Sequence, residues 1–141
     1  MQPRLSFTQT LDDATRQLLE EGIDLHNVAA SGQADFAPFA FLLHEGEELI
    51  GGIAGFMWGG WLQVQVLWVA PHARRGGHAS TLLAAAEDYA AARGYGHATL
   101  ETHNPTALAF YQRRGYAVFG ALADYPPGGA KSFLRKTLGS A

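Results

Sequence analysis

The run Leu67-Trp68-Val69-Ala70-Pro71-His72-Ala73-Arg74-Arg75-Gly76-Gly77-His78-Ala79-Ser80-Thr81-Leu82-Leu83 sets adjacent arginines and adjacent glycines between two apolar stretches. Gly76 and Gly77 let the backbone come close to a bound group or take positive φ. Arg74 and Arg75 can pair with phosphate oxygens. A strand ahead of this turn and a helix behind it would add unpaired N–H donors and a favourable dipole, a fitting seat for a pyrophosphate. The same residues also read as an ordinary strand-to-helix turn with surface arginines, and the segment alone leaves both readings open. Two other phosphate motifs fit worse. Ala130, not glycine, precedes Lys131-Ser132, and Tyr125 stands where a Walker loop has its first glycine. No Gly-x-Gly-x-x-Gly run follows a strand candidate.

The turn needs elements to hold it. Residues 61–69 read as a strand, with Val64, Val66 and Trp68 on one face and Gln63 and Gln65 on the other. Pro71 ends it. Residues 77–93 are rich in alanine and leucine and read as a helix stopped by Gly94. Residues 38–44 and 48–58 read as strands joined at Glu45-Gly46-Glu47. Gly59-Gly60, between Trp58 and Trp61, signals a two-residue hairpin.

Residues 4–9 are a further strand candidate. Thr10, Asp12 and Asp13 can start a helix whose apolar side is Leu11, Leu18, Leu19, Ile23 and Leu25, and residues 29–37 read as loop. Residues 97–102 read as a strand. Asn104-Pro105 then reads as a helix cap followed by proline in the first turn. That helix carries Ala107, Leu108, Phe110 and Tyr111 and ends at Gly115. Residues 116–122 and 131–138 read as closing strands around the loop Pro126-Pro127-Gly128-Gly129. The order implies one α/β domain over residues 1–141 with a mixed sheet.

Composition narrows the function classes. The 141 residues suit one domain with a real core, and 48% apolar against 16% charged residues indicates a globular chain. A formal charge of −3 gives no reason to expect nucleic acid or an anionic membrane as partner. With no cysteine, a disulfide framework, a thiolate zinc site and a cysteine nucleophile are excluded. The N-terminus lacks an apolar signal segment and no apolar run has membrane-spanning length, so a cytoplasmic protein is expected. His72 and His78 bracket the turn, and His97 and His103 share strand parity. Their spacing matches no metal motif, and no metal site is expected.

A second constellation follows the first: Leu100-Glu101-Thr102-His103-Asn104-Pro105-Thr106-Ala107-Leu108-Ala109-Phe110-Tyr111-Gln112-Arg113-Arg114-Gly115-Tyr116. With it the chain resembles the GNAT superfamily of acetyl-CoA-dependent N-acetyltransferases. That family's phosphate turn is Gln or Arg, two residues, Gly, one residue, then Gly or Ala. Arg74, Gly77 and Ala79 match it, as do the preceding Ala70-Pro71 and the following Leu82-Leu83. The family's second signature is matched by Asn104, Ala107, Phe110-Tyr111 and Gly115-Tyr116. Arg75 departs from the pattern, standing where many members carry glycine. The match is firmest over residues 67–120.

The resemblance implies a mixed, mainly antiparallel sheet flanked by helices, with a splayed central strand pair holding acetyl-CoA as donor. Leu67, Trp68 and Val69 would lie on the splayed strand whose backbone binds the acyl carbonyl and pantetheine arm. Backbone amides of Arg74, Arg75, Gly76, Gly77, His78, Ala79 and Ser80 would hold the pyrophosphate. Asn104 would contact the pantetheine region, with Ala107 and Phe110 also at the cofactor. Tyr111 would set its hydroxyl near the thioester sulfur.

Direct acyl transfer needs a free amine, a polarised carbonyl and a proton for the leaving thiolate. A tyrosine hydroxyl, with an ordinary pKa of about 10, can supply that proton, which assigns Tyr111 as the acid. Glu101 is the first candidate base, directly or through water. His103 is the second, because imidazole titrates near neutrality. Each of the three also reads as a residue without a catalytic role: Tyr111 as core aromatic, Glu101 as solvated or salt-bridged carboxylate, His103 as loop histidine. Trp58, Trp61 and Trp68 gather around one hairpin, as packing or as an aromatic wall for the acceptor.

The expected activity is transfer of an acetyl group to a primary amine, on a small molecule or a peptide, through a ternary complex. Homodimers are common in the superfamily, and nothing in the sequence marks a dimer surface. Two other classes stay open at this point: an acyl-CoA-binding regulatory module without transfer activity, and an interaction protein that keeps only the fold.

Overall fold

Strand β2 (Glu48–Trp58) alternates Ile53, Gly55 and Met57 on its buried side with Gly52, Ala54 and Phe56 on the other. This period-two pattern marks a sheet with one face against a core. The computed structural model describes residues 2–139. The chain divides into two units, residues 1–34 and 35–141.

In the first unit, α1 (Asp13–Ser31) is capped by Asp12, whose carboxylate accepts from the Thr15 backbone N–H at 2.7 Å. That bond holds the Asp12 carboxyl below its usual value of 3.8. Gly32, at φ 72, closes the helix by donating to the Val28 carbonyl at 2.8 Å. The helix therefore runs through Ala29 and Ala30, where a loop is expected from sequence. Alanines favour continuation, and the stop comes only with a residue that tolerates the left-handed region. Residues 4–9 are not a strand. Leu5 and Phe7 alternate as strand residues do, but alternation forms a strand only where a ladder partner exists.

In the second unit, β1 (Ala37–Glu45), β2, β3 (Trp61–Val69), β4 (His97–Thr102), β5 (Ala117–Ala123) and β6 (Ala130–Thr137) form a six-stranded sheet in the order β1-β2-β3-β4-β6-β5. All pairings are antiparallel except β3 with β4. The expected mixed, mainly antiparallel α/β architecture is therefore present, with six strands among the described residues rather than seven. Helix α2 (His78–Ala92) connects the parallel pair, and α3 (Pro105–Arg113) follows β4. Leu82, Leu83, Ala86 and Ala90 of α2 bury against Ile53, Met57, Leu62, Val64, Ala98, Leu100 and Leu134 of the sheet. Among the described residues, no helix is long and apolar enough to cross a membrane.

One irregularity shapes the site. Ala54 pairs with Val66 and Gly55 with Val64, so Gln65 is an extra residue bulged out of β3. The bulge reverses strand parity. Leu62 and Val64 face the core before it, whereas Leu67 and Val69 do so after it. Val66 and Trp68 are left 56% and 44% exposed, so Val64, Val66 and Trp68 do not share one face as the uninterrupted alternation predicts. Gly55 makes the bulge possible: a Cβ there would lie 1.9 Å from the Gln63 carbonyl oxygen.

The β3–β4 ladder covers only Trp61 with His97, Leu62 with Ala98 and Gln63 with Thr99, then stops where the bulge begins. Beyond it the two strands run on without pairing, which is the expected splay. The tryptophans form no single wall. Trp58 and Trp61 pair at the hairpin end, where Trp61 stacks on His97 at 4.7 Å, while Trp68 lies at the other end of β3.

Candidate active site

The turn between β3 and α2 begins with a 3-10 turn at Pro71–Ala73. Arg75 then takes φ 71 and Gly77, the cap of α2, takes φ 78. These two left-handed residues curl the chain so that the backbone N–H groups of residues 75–80 have no partner among the described residues. The first bonded amide is that of Thr81, which donates to the Gly77 carbonyl at 3.1 Å. Such a run of free donors at a helix start is an anion seat. Arg74 helps to build the turn: its Nε donates to the Val69 carbonyl at 2.9 Å, tying the turn to the end of β3. A Cβ at Gly76 would approach the His78 Nε2 to 3.0 Å, a contact with the far end of a side chain that a turn of the imidazole relieves.

Across from the turn stands α3. The Asn104 side chain caps it, accepting from the Thr106 and Ala107 amides at 2.8 and 3.2 Å. This capping already engages the Asn104 carbonyl oxygen and orients the helix. Tyr111 is 8% exposed, edge-on to Phe110 at 5.4 Å and to Tyr116 at 5.8 Å. Burial pushes its hydroxyl pKa up. Its oxygen has no protein partner among the described residues, and no buried side-chain oxygen there is left unsatisfied, so this hydroxyl is open to the adjoining cleft. Tyr116 behaves differently. Its hydroxyl donates to Glu87 at 2.7 Å, and Lys136 donates to the same carboxylate at 2.9 Å. Burial and Glu87 push the Tyr116 hydroxyl far above its ordinary range. This network fixes the ring against which Tyr111 packs.

Between the end of β3, the start of α2 and the inner side of α3 lies a cleft of about 540 Å³. Leu67, Trp68 and Val69 line it from β3. Arg74, Arg75, Gly77, His78, Ala79 and Ser80 line it from the turn, and Asn104, Ala107, Phe110 and Tyr111 from α3. Of the cofactor-binding residues expected from sequence, Gly76 alone is not in the lining. Sequence reasoning missed Ala73, Thr106, Arg113 and Arg114, which also line the cleft. The two arginines follow Tyr111 at the end of its helix, and that position was the available signal. Arg114 reaches across to hydrogen-bond the Ser80 hydroxyl and lies 5.4 Å from the Phe110 ring. Among the described residues, no carboxylate lines the cleft.

Glu101 sits elsewhere. It alternates with the buried Ala98 and Leu100, so it points to the sheet face away from α2 and α3. There it pairs with Lys131 at 3.0 Å. Lys131 in turn lies 4.8 Å from the Tyr125 ring and 5.6 Å from the Phe133 ring. The Glu101 hydrogen bond raises the Lys131 pKa, keeping the ammonium charged. Glu101 thus flanks the β3–β4 gap from the opposite side to Tyr111. His103 is exposed in the turn before α3. Among the described residues, no group of three or more His, Asp or Glu is placed to hold a metal ion.

Comparison with known proteins agrees with this geometry. The model of the acetyltransferase (GNAT) family matches residues 6–116. An acetyltransferase of Agrobacterium fabrum is 34% identical over 132 residues, covering 92% of this chain and 96% of that protein. The blasticidin-S acetyltransferase of Streptomyces morookaense is 41% identical over 92 residues, 64% of this chain and 68% of that one. A crystal structure from Agrobacterium tumefaciens superposes with a TM-score of 0.87 at 29% identity, covering 96% of this chain and 99% of that chain.

Proposed function

Because the chain belongs to the GNAT family of acetyltransferases, we propose that it transfers the acetyl group of acetyl-CoA to a primary amine by direct attack within a ternary complex. The observation that carries this reading is the cleft, which joins a run of free backbone amides at one end to the Tyr111 hydroxyl and the unpaired stretch of β3 at the other. The amides of residues 75–80 suit the pyrophosphate of the donor. Backbone groups of β3 beyond Gln63 lack a β4 partner and suit the pantetheine amides and the thioester carbonyl. Donors held in this way stabilise the oxyanion that forms as the amine attacks.

In the reaction the amine nitrogen bonds to the acetyl carbon and the C–S bond breaks. The nitrogen loses a proton and the leaving sulfur takes one. Tyr111 suits the second role. Burial keeps its hydroxyl protonated at neutral pH, so it has a hydrogen bond and a proton to give as negative charge grows on sulfur. Glu101 suits the first, because it faces the side of the gap opposite Tyr111. A nucleophile entering from the Glu101 side pushes the leaving sulfur toward Tyr111. Acid and base are then separated by the carbonyl they serve. A water can carry the proton between the amine and Glu101.

Blasticidin-S acetyltransferase, by its name, acts on an antibiotic; a small amine antibiotic is therefore a sensible first acceptor to test here, beside amino acids and peptides. The assay is thiol release from acetyl-CoA across an amine panel, with wild type and Tyr111→Phe. Tyr111→Phe is expected to lower turnover by about 10²–10³ while changing acetyl-CoA affinity little. Cofactor binding without acetylation of any amine would instead favour a regulatory acyl-CoA-binding module. Unchanged turnover in Tyr111→Phe removes Tyr111 from the acid role.

A further inference from the structure

The cleft carries more positive charge than a pyrophosphate on backbone amides requires. The chain as a whole is at −3, yet among the described residues four arginines line this one cleft and no carboxylate does. A cleft lined by one sign of charge focuses the field on an anion of the other sign. The four arginines are not equivalent. Arg74 is bound to the Val69 carbonyl. Arg114 is held by Ser80 and Phe110. Arg75 and Arg113 have no side-chain partner among the described residues, although both line the cleft.

Arg75 is unusual in a second way. Its φ of 71 lies in the left-handed region, where a residue with a Cβ is strained and glycine is not. The flanking sequence is already glycine-rich, so glycine would meet the backbone requirement at lower cost. A strained non-glycine residue at a ligand site points to a use for its side chain.

We propose that Arg75 and Arg113 form a second phosphate subsite, for the ribose 3′-phosphate of the CoA nucleotide. The inference rests on the cofactor reading above and extends it to donor selectivity. In CoA this phosphate is one ribose ring away from the 5′-pyrophosphate. A donor whose pyrophosphate sits on the amides of residues 75–80 carries its 3′-phosphate beside the same turn. Arginine forks are suited to a phosphate monoester, and these two have donors to offer. The subsite makes the enzyme select a 3′-phosphorylated nucleotide donor over the same thioester without that phosphate.

The experiment is direct. Dissociation constants for acetyl-CoA and acetyl-3′-dephospho-CoA are measured by calorimetry with wild type, Arg75→Gly, Arg113→Gln and the double variant, at low and moderate salt. Wild type is expected to prefer acetyl-CoA by about tenfold or more, each single variant by about threefold, and the double variant by less than about twofold. The wild-type preference should shrink as salt is added. Arg75→Gly should melt at or above the wild-type temperature, because it relieves strain; this separates loss of selectivity from loss of fold. Equal binding of the two donors by wild type, or an undiminished preference in the double variant, overturns the subsite and leaves the cofactor reading intact. Failure of wild type to bind either donor overturns both.

Discussion

Gly55→Ala tests the local geometry on which the site depends. The added methyl would lie 1.9 Å from the Gln63 carbonyl oxygen, 3.0 Å from its carbon and 3.1 Å from the Gln65 amide nitrogen. All three atoms are backbone, so no side-chain rotation relieves the contact. The two strands must separate by about 1 Å, because contacts below 3.0 Å do not occur. Overpacking of this kind costs about 1–3 kcal/mol. Separation also weakens ladder bonds on either side of the bulge, at about 1 kcal/mol each. For about two such bonds the expected loss is about 3–5 kcal/mol, a large part of a usual total stability of about 5–15 kcal/mol.

At this chain length that lowers Tm by about 6–20 °C, read by calorimetry or circular dichroism. Gly120→Ala is the internal control. It too sits at a register shift, between β5 and β6, but a Cβ there meets nothing within 4 Å. Its expected cost is below about 0.5 kcal/mol. Cofactor affinity should follow the same order, since the bulge sets the direction of Leu67 to Val69. If the two variants melt within about 2 °C of each other, the bulge is not constrained by Gly55 and the reasoning fails.

Glu101→Gln should reduce activity most at low pH, where the acceptor is protonated and needs a base, and should recover as pH rises and free amine accumulates; a pH–rate profile parallel to wild type counts against Glu101. Acid should loosen the start of α1. The folded-state pKa of Asp12 is depressed, so the cap's contribution is present above the unfolded value of 3.8 and is lost as pH falls through the lower folded value. The Thr15 amide resonance should therefore titrate below that pH in wild type and not in Asp12→Asn, and an identical titration in the variant would refute the cap.

Most elements of the second unit were legible because their signals are local. Gly59-Gly60 announced the β2–β3 hairpin, Pro71 the end of β3, and Asn104-Pro105 the start of α3, and each boundary lies where those residues put it. The bulge at Gln65 was not legible. Its cause is a close approach of Gly55 to a residue on another strand, and a pattern of alternation carries no record of it. That single miss misdirected Val66 and Trp68. The strand expected at residues 4–9 failed for a related reason: alternation describes one chain segment, whereas a strand is a property of a pair. At the site the motif residues, Arg74 and Arg75 among them, were legible, and Arg113 and Arg114 were not. Arg113 and Arg114 match no spacing rule and matter only because α3 ends beside the start of α2, as the Arg114–Ser80 bond records.

The bulge, the splay and the division of labour in the site form one causal sequence. Gly55 permits Gln65 to leave the ladder, and the extra residue turns Leu67 and Val69 toward the core side and Trp68 to the other. The β3–β4 ladder ends at Gln63–Thr99, so the sheet is open where those residues lie. In the proposed reading, a carbonyl held in that gap would have one face toward the Tyr111 side of the sheet and the other toward the side that Glu101 faces. In the proposed transfer the amine adds to one face of the carbonyl, and the carbon's other substituents, the sulfur among them, bend toward the opposite face as the tetrahedral intermediate forms. A continuous ladder through Val69 would satisfy more backbone hydrogen bonds and would close the path. The unpaired strand ends are thus a local loss of stability that the proposed chemistry requires.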